Sequence, residues 1–169
     1  MNYQTIVSAC AILIAVLSLA VSIFEARAAR AHNRYSVKPM LQLRHVAKYG
    51  SSEAGVKIAN IGLGPAVIDE TIVKLDGNHL GEWNLDTYHA IFDQFPIQPQ
   101  VSTLFHGGLI PAGHQYFLVR IEDFDEKEHA WFWELVTNRL YIEVRYKSLY
   151  RDEELCVGRG GGFPQIFAT

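Results

Sequence analysis

Two glycines and a proline fall within seven residues at Asn60-Ile61-Gly62-Leu63-Gly64-Pro65-Ala66, the stretch closest in composition to an anion-binding loop. Such a loop aims successive backbone N–H groups at a phosphate from the start of a helix, so its chemistry depends on the element that comes after it. Here the next element is a strand-like run, Val67 to Leu75; no Lys-Ser or Lys-Thr pair is present, and Pro65 removes a donor. The stretch reads instead as a structural turn. Asn60 closes a local side-chain turn, Gly62 and Gly64 supply positive φ, and Pro65 stiffens the edge of a strand-to-strand corner.

The other possible chemistry is thinner. Gly158 to Gly162 enclose Arg159, which could touch an anion, but no helix comes after them and the stretch reads as a glycine-rich tail over 158–169. The seven histidines include no His-Glu-x-x-His pair, and there is no Cys-x-x-Cys. His106 and His114 flank a turn and could meet across a hairpin, while Glu126, Glu128 and His129 share a helix start; each reads first as an exposed polar residue. No serine lies in Gly-x-Ser-x-Gly, and Cys156 has no histidine beside it. The expectation is a protein without catalytic residues, cofactor or metal.

The elements that position these residues divide sharply. Residues 6–24 run without charge, proline or glycine and are long enough, at about 1.5 Å per residue, to cross about 30 Å of hydrocarbon. A cleaved signal sequence is the alternative, with small residues at Ala26, Ala28, Ala29 and Ala31 in cleavage-site spacing. Against it, residues 1–5 carry no Lys or Arg, whereas Arg27, Arg30, Arg34 and Lys38 come after the apolar run. A basic flank on that side predicts a short outward N-terminus and a cytoplasmic domain at the inner membrane. Within the span, Ser8, Ala11, Ala15, Ser18 and Ser22 recur at intervals of three and four, a small-residue stripe of the kind that lets helices approach in lipid; it predicts a homo-oligomer. The alternative is that alanine and serine are simply frequent in such a helix.

Setting aside Arg27, Arg30 and Arg34 from the 15 basic residues and Glu25 from the 18 acidic ones leaves 12 against 17 from Tyr35 onward. That acidity argues against binding a long nucleic acid through its phosphates.

Residues 25–38 contain good helix formers up to the approach of Pro39, so the helix is expected to outrun the membrane. Period-two alternation then marks strands at Met40–Val46, Gly55–Ile61, Ala66–Leu75, Gln115–Asp123 and Leu140–Tyr150, with Asp76-Gly77 as a turn and Leu155–Val157 as a hairpin partner. Asp125 and Glu128 have capping-box spacing before one short helix that carries Trp131 and Leu135 on a common face, and Leu85–Phe95 is a second helical candidate. Trp131, Phe132 and Trp133 are consecutive, about 100° apart on a helix, so they cannot all face one core. Short strands divided by turns predict a mainly β domain over 39–157: an antiparallel β-sandwich with one or two short helices, immunoglobulin-like as the specific expectation.

The residues Arg30 to Leu43 (RAHNRYSVKPMLQL), Ile58 to Ile68 (IANIGLGPAVI) and Leu75 to Gly77 (LDG) resemble a widespread group of small bacterial membrane-anchored proteins. That group joins one N-terminal span and a basic Arg-His-Asn-Arg flank to a β-rich domain with Asn-x-Gly-x-Gly-Pro-Ala. The likeness covers the first half and, more loosely, LIPAG and IEVRYKSLY in the second. It implies a fold and membrane placement; the group has no assigned catalytic residues, so it implies no activity. The leading expectation is a ligand- or partner-binding membrane protein that acts by oligomerisation. A defence-type membrane effector triggered by a small cyclic nucleotide also fits the layout, though no nucleotide motif supports it, and so does a hydrolase whose site assembles in space.

Overall fold

The computed structural model describes residues 2–47, 53–150 and 153–160, without the side chains of Thr5, Cys10 and residues 31–36. The chain forms two compact units, Met1–Ser36 and Val37–Thr169. The first is a single helix, α1 (Tyr3–Ser36), whose segment Ile6–Arg30 is long and apolar enough to cross a membrane. Every described side chain along it is exposed.

The second unit is built from strands whose alternation sets their inner faces. β1 (Leu41–Ala47) buries Leu41 and Leu43, β2 (Ala54–Asn60) buries Val56 and Ile58, and β3 (Ala66–Leu75) buries Ile68 and Val73. A positive-φ turn at Asp76 and Gly77 leads into β4 (Asn78–Gly81). Helix α2 (Leu85–Phe92) is next, started by Asn84, whose side chain accepts the Thr87 N–H at 2.9 Å. Then come β5 (Gln100–Val101), β6 (Leu109–Ile110), β7 (Gln115–Ile121), α3 (Ala130–Glu134), β8 (Leu140–Ser148) and β9 (Glu154–Arg159).

All pairings are antiparallel. One sheet has the order β1-β2-β7-β5; the other has β4-β3-β8-β9, with β6 also on β3. Lettered in chain order with β6 as an addition, these are the A-B-E-D and C′-C-F-G sheets of an immunoglobulin sandwich. Their inner faces share one core, into which α2, α3 and their flanks insert Trp83, Ile91, Phe92, Phe132 and Leu135. A cross-sheet bond from Leu41 N–H to the Tyr146 hydroxyl at 3.1 Å ties β1 to β8.

Several expectations are corrected. The 125–139 segment is not one α-helix. Asp125 accepts the Lys127 and Glu128 N–H groups in a turn, α3 starts only at Ala130, and a π-helical turn over Leu135–Arg139 delivers the chain into β8. His129 is buried rather than exposed, its Nδ1 accepting the Asp125 N–H at 2.9 Å. The last strand runs through Gly158 and Arg159, so the glycine cluster begins inside the sheet; a Cβ on Gly158 would overlap the Tyr141 hydroxyl. Residues 161–169 of the expected tail lie outside the described residues. The aromatic triplet is shared out: Phe132 enters the core, Trp131 stacks on Phe95 at 4.2 Å, and Trp133 meets His45 of β1 edge-on.

The sandwich has two unlike ends. Val37–Met40, the β2–β3 connection, the Pro111–Gly113 turn and the β8–β9 connection gather at one, joined by Gly113 N–H to Asn60 O at 2.9 Å and by Lys38 to Glu153 at 2.7 Å. The Asp76-Gly77 turn and residues 122–129 lie at the other.

Candidate functional site

Asn60 is the hub of the corner at the first of these ends. Its side chain is buried and uses both ends of the amide: Oδ1 accepts Met40 N–H at 3.2 Å and Gly62 N–H at 3.0 Å, and Nδ2 donates to Gly64 O at 2.8 Å and Ile110 O at 2.9 Å. Four backbone groups from β6, the β2–β3 connection and the residue before β1 thereby close on one residue. This arrangement is costly to disturb, because a buried polar group left without a partner loses its solvation without compensation.

Gly62 and Gly64 do not occupy positive φ, contrary to the expectation from sequence; among described glycines that conformation belongs to Gly77, Gly81, Gly107, Gly113 and Gly160. Proximity is what requires them. A Cβ on Gly62 would sit 2.5 Å from Lys38 O and closer to Met40 N, and one on Gly64 would fall 2.6 Å from the Val37 carbonyl carbon and closer to its oxygen. Residues 37–40 are thus pressed backbone to backbone against the corner.

The same contacts decide the anion question. Ile61 N–H donates to Met40 O at 2.8 Å, Gly62 N–H to Asn60, and Leu63 and Gly64 N–H both point to Lys38 O at 3.1 and 3.4 Å; Pro65 has none to give. Every N–H from 61 to 64 is committed inside the protein, so the loop has no donors to aim at a phosphate. Its chemistry is that of a clamp.

The basic flank divides between the two units. Arg27 and Arg30 are exposed on α1, the Arg34 side chain lies outside the described residues, and Lys38 belongs to the sandwich, where it pairs with Glu153. On α1, Ser8, Ala11, Ala15, Ser18 and Ser22 fall within an arc of about 80° at 100° per residue. The Ser22 hydroxyl donates back to Ser18 O at 2.9 Å, which satisfies a polar group that lipid could not.

One face of β8 carries Tyr141, Glu143, Arg145 and Lys147, and its partners on β3 are set by a pairing that no local pattern announces. Arg145 donates to Glu143 at 3.1 Å and to Glu70 at 2.8 Å, Lys147 donates to Asp69 at 2.9 Å, and Tyr141 donates to Glu143 at 3.0 Å. Burial, reinforced by that bond, pushes the Tyr141 hydroxyl up to about 12, and the Lys147 ammonium holds Asp69 below the usual aspartate range. Both shifts lead away from neutrality, opposite to what a proton shuttle needs. His106 contacts Asp69 O at 2.7 Å, and His114 lies at the start of β7; since β6 and β7 belong to different sheets, the turn between these histidines is a crossover, not a hairpin.

No family model matches the chain, and no curated protein matches it.

Proposed function

We propose that the protein is a non-enzymatic, single-pass inner-membrane protein that holds an immunoglobulin-like binding domain at the cytoplasmic face and acts by clustering. The observation that carries this reading is the absence of a spacer: α1 ends at Ser36, and the next residue, Val37, is already pressed against Gly64 of the sandwich. Association of helices would therefore gather the domains themselves rather than the ends of slack tethers. The basic flank at Arg27 and Arg30 favours the cytoplasmic side for the domain. The motif resemblance over residues 30–77 supports the same placement. The domain would take a protein or small-molecule ligand, its net acidity being unsuited to a long nucleic acid.

Two measurements test the reading. Protease added to spheroplasts from the outside should leave the sandwich intact until the membrane is permeabilised; digestion beforehand would reverse the orientation. Replacing Ala11, Ala15 and Ser18 together with leucine should cut the signal of a membrane dimerisation assay several-fold, because leucine holds the backbones apart along the stripe. An unchanged signal would remove the clustering mechanism while leaving the anchor in place.

A further inference from the structure

We infer that the end of the sandwich at which the chain enters from α1 is a bilayer-contacting surface, seated in the headgroup layer of the membrane that the helix crosses. This rests on the membrane placement proposed above and adds a specific surface to it. Most of the large apolar side chains that the domain leaves exposed, among the described residues, lie at this end: Met40, Ile61, Leu63, Leu109, Leu149 and Tyr150. Leu63 is 77% exposed although its own N–H is bonded to Lys38 O at 3.1 Å and the N–H groups on either side of it are bonded within the corner, so the structure holds it outward rather than leaving it loose. A fringe of leucine, isoleucine and tyrosine is the composition expected of loops that enter the boundary between headgroups and acyl chains.

Charge separates the two ends in the same sense. The opposite end exposes six carboxylates, Asp76, Glu122, Asp123, Asp125, Glu126 and Glu128; Arg139 pairs with Asp76, Arg120 with Glu122, and Lys127 lies among the rest, so the end stays net acidic. An anionic leaflet repels that end and admits the apolar one, which orients the domain before any apolar contact forms. A soluble protein partner would leave the placement of the acidic end unexplained, whereas a lipid surface accounts for both ends.

The reach of the chain allows the contact. At 1.5 Å per residue α1 is about 51 Å long, against about 40–45 Å for a bilayer with its headgroups. The helix therefore extends past the far side of the bilayer by only about 10 Å, and ordinary tilts near 20° reduce that further.

The test uses the full chain in vesicles of phosphatidylethanolamine and phosphatidylglycerol, with Cys10 and Cys156 replaced by serine and a single fluorophore placed through Leu63→Cys, Asp123→Cys or Leu13→Cys. Lipids carrying a nitroxide near the headgroup should quench the probe at 63 several-fold more than the probe at 123, and adding Ile61→Asp with Leu149→Asp should bring 63 down to the level of 123. These replacements fall on exposed side chains and should leave the far-ultraviolet circular dichroism unchanged. Quenching at 13, read in parallel vesicles whose lipids carry the nitroxide deep in the acyl chain, reports the anchor independently, because residue 13 lies near mid-bilayer at about 1.5 Å per residue. Quenching at 13 without quenching at 63 overturns the inference and spares the anchor; none at 13 overturns the anchor. Shielding of 63 from aqueous iodide without lipid quenching identifies a protein contact and likewise overturns the inference.

Discussion

Asn60→Ala is expected to destabilise the sandwich by about 3 kcal/mol, since two buried carbonyls, Gly64 O and Ile110 O, lose their donor and each such loss costs about 1–3 kcal/mol. Met40 and Gly62 N–H also lose their acceptor, but they are only partly buried and water can reach them, so they add less. For a domain of this size the melting temperature should fall by roughly 10 °C. Asn60→Asp separates the two halves of the role. It keeps an acceptor for Met40 and Gly62 but sets a carboxylate against two carbonyl oxygens, so at neutral pH it should be at least as damaging as alanine. Protonating that carboxylate restores one donor, so part of the loss should return as the pH falls; Asn60→Ala should show no such recovery. A melting temperature for Asn60→Ala within a degree or two of the parent would mean that the corner is held by something other than this amide.

The contrast between Asn60 and its glycines shows what a single sequence conveys. Asn60 is legible as the closer of a local turn, because one of its partners, Gly62 N–H, lies two residues away. Its other partners include Met40, 20 residues away, and Ile110, 50 residues away, and no local pattern announces them. The glycines are legible as special but for the wrong reason. Positive φ is a property of one residue and its neighbours, whereas close approach depends on which backbone the fold brings alongside, here residues 37–40. The same distinction explains Gly158, which reads as tail although it makes room for Tyr141 across the sheet.

Strands long enough to alternate are readable, as Ile142, Val144 and Tyr146 on β8 show. The two-residue strands β5 and β6 are not, since two residues carry no period. The ion-pair ladder needs the register of β3 against β8, and an irregularity between Ile68 and Glu70 shifts that register by an amount the alternation does not encode. The sandwich expectation rests on short strands divided by turns marked by Gly, Pro and Asp; six strands are legible that way, and the short β4, β5 and β6 that complete the immunoglobulin-like order are not.

Gly64→Ala should be strongly damaging, since among the described glycines this is where an added Cβ comes nearest to a neighbouring backbone atom. The atoms it meets are the carbonyl carbon and oxygen of Val37, which belong to backbone and have no rotamer to retreat into. Relief requires residues 37–40 to lift off the corner, which breaks the bonds from Leu63 and Gly64 N–H to Lys38 O and from Ile61 N–H to Met40 O. Overpacking costs about 1–3 kcal/mol and each lost backbone bond about 1 kcal/mol, so a total of at least about 3 kcal/mol is expected. Gly77→Ala is the informative comparison: it forces a Cβ onto a φ of +83° but meets nothing within 4 Å, and should cost only about 1–2 kcal/mol. Amide exchange separates the mechanisms, because Gly64→Ala should speed exchange at Ile61 and Leu63 while Gly77→Ala leaves both protected. If Gly64→Ala melts no lower than Gly77→Ala, the close approach is not what demands glycine there.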